Sequence, residues 1–168
     1  MVTNQILNKL YDFCQIREPL YKNGDFAFRT TREYSNRLRF IIGLLEELNI
    51  EYEVFTWDDS CVDDDYWEEC FHNLIIKGSS NKYFSAHYDI KNPFSQNAND
   101  NSAGILSLIA LKMLNPEVNV VFLDAEESPF CGEGAKLFRQ WVYSTHNGYN
   151  RKEYRDVEYI INLDMEGI

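Results

Sequence analysis

Four short clusters of histidine, acid and amide residues follow or flank apolar runs in the second half of the chain. His87 and Asp89 end one run, and an HxD pair lets a carboxylate orient an imidazole that binds a metal through its other nitrogen. Glu126 and Glu127 follow another run, where adjacent carboxylates are tolerated only if solvent, a proton or a cation neutralises them. Acids capping a loop would be the simpler interpretation of that second cluster.

The other two clusters each offer one acid. Asp100 lies in the polar segment 97–104 ahead of an apolar helical pattern, where its two oxygens could be shared between two metals. Asn101 or Ser102 could equally make that segment an ordinary helix N-cap. Asp164 follows the last apolar run, a position that a turn residue also takes. His, Asp, Glu and Asp in this order are nevertheless the N/O ligand set expected for zinc or a similar divalent ion.

Apolar periodicity predicts the elements that must position these residues. Helices are predicted at 4–15, 32–48, 103–114 and 134–142, and strands at 51–57, 73–77, 83–87, 118–123 and 157–163. Thr30 and Glu33 match a capping box ahead of the second helix. The last three strands alternate with helices, and nearly continuous apolar runs are typical of parallel strands covered on both faces. We predict an α/β three-layer sandwich with a mostly parallel, mixed sheet, as a single domain over residues 1–168.

The composition narrows the classes of function. The chain has 168 residues, 45% of them hydrophobic and 15% aromatic, which is enough material for a packed core. Its 16 basic and 27 acidic side chains give a net charge of −11, which disfavours nucleic acid and anionic membranes as partners and favours cations. There is no apolar run of membrane-spanning length and no recognisable export signal, so we expect a cytoplasmic location.

The cysteines and the acidic tract do not indicate further sites. Cys14, Cys61, Cys70 and Cys131 form no CxxC pair, so we expect reduced thiols rather than a thiolate zinc site or a disulfide framework. The acidic segment 58–69 lacks the spacing and glycine of a calcium loop and is interpreted as a solvated connector.

Taken together, the four clusters resemble the motifs of a known family. His87-x-Asp89, Asn99–Gly104, Asp124–Glu127 and Asn162–Met165, in this order, are similar to the motifs of the co-catalytic zinc aminopeptidases. That family includes bacterial leucyl aminopeptidases and glutamate carboxypeptidase. The resemblance runs from residue 73 to residue 167. It implies a zinc-exopeptidase fold, two zinc ions, and release of N-terminal residues from peptide substrates with a free N-terminus.

The resemblance also implies metal ligands drawn from all four clusters. They are His87, Asp100, Glu127 and Asp164. Asp100 would bridge the two zinc ions, His87 and Asp164 would complete one site, and Glu127 would belong to the other.

The same resemblance implies the catalytic roles. Glu126 would be the general base that takes a proton from the attacking water, and Asp89 would orient His87. It further implies a cis peptide bond between Asp100 and Asn101.

The chain departs from the family pattern at its end. The family has a further histidine ligand well downstream of the Asp164 position, and the sequence ends shortly after that residue. His72 and His146 are poor substitutes, so we expect the second site to retain only Asp100 and Glu127 unless water or another chain contributes. The chain is also short of the family's later strands. We therefore expect an open sheet edge covered by a homo-oligomer or a complementing segment. The alternative is that these 168 residues are a fragment or a compact variant of a longer enzyme.

Several functions remain open at this point. The leading hypothesis is a zinc-dependent exopeptidase, weakened or inactive if the missing histidine is not replaced. The first alternative is a metal-binding pseudoenzyme or partner subunit of the same fold, and the second is a glutaminyl-cyclase-like acyltransferase with one zinc. A nucleophilic Cys131 with His146 is the least favoured, because a lone cysteine after Pro129 and Phe130 is more often a packed small residue.

Overall fold

The computed structural model describes residues 2–16, 34–58, 70–90, 101–127, 132–143 and 157–164. The helices are α1 (Val2–Gln15), α2 (Asn36–Glu47), α3 (Ala103–Leu114) and α4 (Glu133–Tyr143). The strands are β1 (Glu53–Asp58), β2 (Cys70–Ile76), β3 (Lys82–His87), β4 (Asn119–Leu123) and β5 (Tyr159–Asn162). No helix in these ranges combines the length and apolar character needed to cross a membrane.

The start of α2 differs from its prediction. The expected helix began at residue 32, but α2 begins at Asn36 because Ser35 is its N-cap. The extended Ser35 accepts a hydrogen bond from the Leu38 amide at 3.1 Å, which satisfies one of the amides that a helix start leaves without a partner. Thr30 and Glu33, the predicted capping box, lie outside the described residues.

The five strands form one mixed sheet in the order β1-β2-β4-β3-β5. β2 pairs antiparallel with both β1 and β4, whereas β3 pairs parallel with both β4 and β5. The carboxyl ends of β3, β4 and β5 therefore meet at one edge of the sheet, and the amino end of the antiparallel β2 reaches the same edge. This is the arrangement in which residues after successive parallel strands come together.

Both faces of the sheet carry helices, which confirms the predicted three-layer sandwich. α1, α2 and α3 share one hydrophobic cluster with Leu74 and Ile76 of β2. Ile75, between those two residues, belongs instead to a second cluster with Val121 and Trp141, which packs α4 on the opposite face. Side chains alternate between the faces of a strand, so one apolar run serves both layers.

β5 is parallel, as predicted, but it is not covered on both faces by the described residues. Tyr159, Ile160 and Ile161 are 37%, 49% and 44% exposed. Within the described part of the chain β5 pairs only with β3, so it is an edge strand. The family resemblance predicted such an open edge, because the chain is short of the family's later strands. The prediction of two-sided burial for this strand was wrong for the part described here.

A buried lysine binds three backbone carbonyls at the end of the sheet opposite the candidate site. The Lys112 ammonium, near the end of α3, donates to the carbonyl oxygens of Lys77 and Pro116, each at 2.6 Å, and of Val118 at 2.9 Å. Burial lowers the pKa of Lys112, because the charged form loses its hydration. These contacts tie the end of α3 to the end of β2 and to the turn before β4.

Candidate metal centre

His87 lies at the carboxyl end of β3 with both ring nitrogens near carboxylates. The ring is 1% exposed, with Nδ1 3.3 Å from Oδ1 of Asp89 and Nε2 3.5 Å from Oδ1 of Asp164. A carboxylate beside Nδ1 favours the tautomer that carries its proton there, which leaves Nε2 as a lone-pair donor. The Asp89 carboxylate lies beside Nδ1, and its orienting role stays a prediction.

Asp89 also holds the segment that carries the two glutamates. Its Oδ1 accepts a hydrogen bond from the Glu126 amide at 3.1 Å, and its Oδ2 accepts one from the Glu127 amide at 2.9 Å. One carboxylate therefore contacts the imidazole after β3 and the backbone after β4. This link between the two strand ends was not part of the prediction.

The same contacts set the ionisation of Asp89. Burial raises the pKa of this carboxyl, but the contact with His87 and the amides of Glu127 and Glu126 lower it by more. The net pKa is below the ordinary value, so the group is a carboxylate at neutral pH. The two oxygens of the carboxylate allow it to accept from both amides while it faces the imidazole.

The chain reaches Glu126 and Glu127 through a tight reversal after β4. Ala125 has φ of 50°, in the left-handed region that residues other than glycine rarely adopt. Its carbonyl oxygen accepts hydrogen bonds from the Gly132 amide at 3.0 Å and the Glu133 amide at 3.1 Å, which joins the reversal to the start of α4.

Asp124 stabilises this reversal from below. Its fully buried carboxylate accepts from the His72 amide at 3.0 Å and from the Ala125 amide at 2.9 Å. Asn73 accepts from the Asp124 amide at 3.0 Å and donates to the Gly134 carbonyl at 2.8 Å. Asp124 and Asn73 are therefore structural supports that sequence analysis did not identify, although a buried acid at a strand end was a signal.

A second set of contacts joins the end of β5 to the start of α3. The Leu163 amide donates to the Ser85 carbonyl at 2.8 Å, and the Asn101 side chain donates to the Leu163 carbonyl at 2.7 Å. Asn101 also accepts from the Gly104 amide at 3.2 Å, so it caps α3 as the alternative interpretation of this segment expected. Asp164, next in the chain, is thereby held opposite His87.

The described donors are suitable for a divalent cation. One ligand atom each from His87, Glu126 and Glu127 lie within 4.8 Å of one another, and the three residues range from buried to partly exposed. An imidazole nitrogen and carboxylate oxygens in such a group form a donor set that suits zinc and other divalent ions. The residues present therefore fit a metal, and Glu126, predicted as the base, lies among the potential ligands.

The remaining predicted residues stand as follows. Asp100, the predicted bridging ligand, lies outside the described residues. His146 and the peptide bond between Asp100 and Asn101 lie outside them as well. His72 is not a substitute ligand in the described part of the chain. Its Nδ1 is 2.9 Å from the Thr56 hydroxyl and its ring packs edge-on against Tyr34.

Comparisons with known proteins agree with this fold. The three-layer sandwich is that of zinc exopeptidases, and the profile of Peptidase family M28 matches residues 74–168, more than half of the chain. The chain belongs to this family. A search of curated protein sequences found no match.

Solved structures show the same fold at low identity. A glutaminyl cyclase from Porphyromonas gingivalis matches with a TM-score of 0.58 and 18% identity, over 97% of this chain and 58% of that one. The LapA aminopeptidase of Legionella pneumophila matches with a TM-score of 0.57 and 12% identity, over 97% of this chain and 43% of that one. A leucine aminopeptidase precursor from Bacteroides thetaiotaomicron matches with a TM-score of 0.50 and 20% identity, over 99% and 61%. This chain thus spans roughly half of these solved proteins.

Proposed function

We propose that the chain is a zinc-dependent exopeptidase of the aminopeptidase type. The observation that supports this most directly is the position of Asp89, whose carboxylate faces the His87 ring and accepts from the Glu126 and Glu127 amides. This arrangement brings an imidazole and two carboxylates from different strand ends into one group. Membership of a peptidase family supports a peptide as the substrate class.

The proposed ligands are those that the family resemblance implied. They are His87, Asp100, Glu127 and Asp164, with two zinc ions as the proposed complement. The 3.5 Å contact between His87 Nε2 and Asp164 supports a shared first site for these two residues. Glu127 has a ligand atom within 4.8 Å of one from His87, which is close enough for a second ion to lie beside the first.

Glu126 is the proposed general base. It is partly exposed, so water can reach its carboxylate, and its backbone amide is held by Asp89. A carboxylate in this position can accept a proton from an attacking water and return it to the departing amine. When bound, the metal would supply the Lewis acid that polarises the scissile carbonyl.

The charge of the site suits a substrate with a free α-amine. The proposed zinc ions would offset the charge of Glu127 and Asp164, but the whole chain carries −11, which two such ions reduce only to about −7. Such a field attracts an ammonium group and disfavours a peptide with an acidic first residue. We expect neutral or basic N-terminal residues to be released faster than acidic ones.

The test is the variant Glu126→Gln with the chain loaded with zinc. We expect release of the N-terminal residue from a short peptide to fall by about 10²–10⁴-fold, as is typical for loss of a general base, while bound zinc is retained. Glu117→Gln is the matched control, because Glu117 is an exposed acid in the turn before β4, at the opposite end of that strand.

Other outcomes contradict the proposal in distinct ways. Cleavage at the wild-type rate by the Glu126→Gln variant would exclude Glu126 as the base. Zinc binding by the wild type without turnover would favour the pseudoenzyme. Cyclisation of an N-terminal glutamine with loss of ammonia would favour an acyltransferase.

A further inference from the structure

α2 carries a fully buried arginine, Arg37, whose side chain contacts the residue between His87 and Asp89. The Arg37 Nε donates to the Tyr88 carbonyl at 2.5 Å, Nη2 to the Ser102 hydroxyl at 3.0 Å, and Nη1 to the Phe13 carbonyl at 3.4 Å. The guanidinium carbon lies 4.0 Å from the centroid of the Phe13 ring. A permanent cation is costly to bury, so its contacts must compensate for lost hydration.

Two of these partners flank the proposed metal ligands. Tyr88 stands between His87 and Asp89, and Ser102 follows Asp100 by two positions. A single rigid guanidinium therefore joins the segment after β3 to the start of α3. Arginine suits this task because its donors diverge in a fixed planar fork, which the single ammonium of lysine cannot match.

Several hydrogen bonds hold Tyr88, and Arg37 supplies one of them. Its amide donates to the Leu123 carbonyl at 2.9 Å, its hydroxyl donates to the His72 carbonyl at 2.7 Å, and its own carbonyl accepts from Arg37. The peptide groups on either side of this residue carry His87 and Asp89. Arg37 thus limits rotation of the backbone that sets the direction of both side chains.

Ser102 is available to Arg37 because it does not cap its helix. It occupies the cap position of α3 without a side-chain capping bond, and Asn101 accepts from the Gly104 amide instead. The hydroxyl of the fully buried Ser102 accepts from the guanidinium. At the start of α3, Asn101 therefore binds the segment after β5, and Ser102 binds Arg37 of α2.

We propose that Arg37 is a positioning residue, which holds the segment of His87 and Asp89 in register with the segment leading into α3 and so sets the zinc affinity of the site. In this role it acts through the two segments that it joins. The inference rests on the metal site of the proposed function and is independent of peptidase turnover.

The experiment measures zinc affinity by competition with a chromogenic chelator, alongside thermal unfolding in EDTA. We expect Arg37→Met to bind zinc about 10–100-fold more weakly, in line with loss of other groups that orient metal ligands. Ser102→Ala removes only one acceptor and should weaken zinc binding by a smaller factor while the chain still folds. Arg37→Lys should recover part of the affinity, because an ammonium can reach either the Tyr88 carbonyl or the Ser102 hydroxyl but not both.

Lys112→Met is the matched control for stability. Lys112 is also a buried cation that donates to backbone carbonyls, but it lies at the opposite end of α3. We expect this variant to unfold at a lower temperature and to retain the wild-type zinc affinity.

The outcomes separate this inference from the metal site itself. Wild-type zinc affinity in both Arg37→Met and Ser102→Ala would overturn the positioning role and leave the metal site standing. An equal loss of affinity in Lys112→Met at an equal loss of stability would also overturn it. A wild-type chain that binds no zinc would overturn the metal site, and with it this inference.

Discussion

Replacing Asp89 with asparagine keeps the size of the side chain and removes one of its two acceptor oxygens. If the new amide group points at Glu127, that buried backbone N–H loses its acceptor. If it points the other way, it faces the Glu126 amide and Nδ1 of His87. It can then donate to Nδ1 only when the ring proton moves to Nε2, and an Nε2 that carries a proton cannot bind a metal.

The magnitude follows from these contacts. An unsatisfied buried amide costs about 1–3 kcal/mol, and weakening the remaining bond from a charged to a neutral acceptor costs about 1 kcal/mol more. We therefore expect Asp89→Asn to lower the free energy of unfolding of the metal-free chain by about 2–4 kcal/mol at neutral pH. Zinc affinity should fall by about 10–100-fold, as for other carboxylates that orient a ligating histidine.

Urea unfolding in EDTA measures the first quantity, and zinc competition measures the second. Glu47→Gln is the matched control, because Glu47 is an exposed acid that pairs with Lys9 at 2.8 Å. Exposed pairs of this kind contribute less than about 1 kcal/mol. If Asp89→Asn behaves like Glu47→Gln in both measurements, the shared-carboxylate reasoning is wrong.

Two further predictions concern stability. Gly134→Ala places a Cβ 1.8 Å from the Asp124 carbonyl oxygen, so we expect the free energy of unfolding to fall by about 2 kcal/mol or more. Gly43→Ala meets no atom within 4 Å and should stabilise α2 by about 0.5–1 kcal/mol. Equal effects in thermal unfolding would contradict this. Because burial lowers the Lys112 pKa, the folded chain releases this proton at a lower pH than the unfolded chain. The difference in unfolding free energy between the wild type and Lys112→Met should therefore increase as the pH is raised toward 10.5. A difference that stays flat or falls in urea titrations over this pH range would refute the prediction.

Much of the architecture is predictable from apolar periodicity. The bounds of α3 are those predicted, because a polar capping segment precedes a continuous apolar run. The parallel direction of β3, β4 and β5 follows from their alternation with helices. The spatial order of the strands was not predictable in this way, because periodicity indicates which residues are buried and not which strands pair.

The candidate site is predictable in its side chains and not in its backbone contacts. His87, Asp89, Glu126 and Glu127 end or follow two predicted strands, and the carboxyl ends of parallel strands meet at one edge of a sheet. The bonds from two amides to Asp89 depend on the left-handed turn at Ala125, for which a short sequence motif carries no clear signal. Arg37 did carry one, since it shares the apolar face of α2 with Ile41 and Leu44, where a charged residue needs an explanation.

The shared carboxylate of Asp89 also has a practical consequence for spectroscopy. The backbone amides of Glu126 and Glu127 donate hydrogen bonds to the Asp89 carboxylate, which faces the His87 ring. A change of charge or occupancy at that ring alters the electron density of the carboxylate and therefore the magnetic environment of both protons. The amide NMR signals of Glu126 and Glu127 should therefore shift when the charge or metal occupancy of the His87 ring changes. These two signals can be followed without substrate or an attached probe.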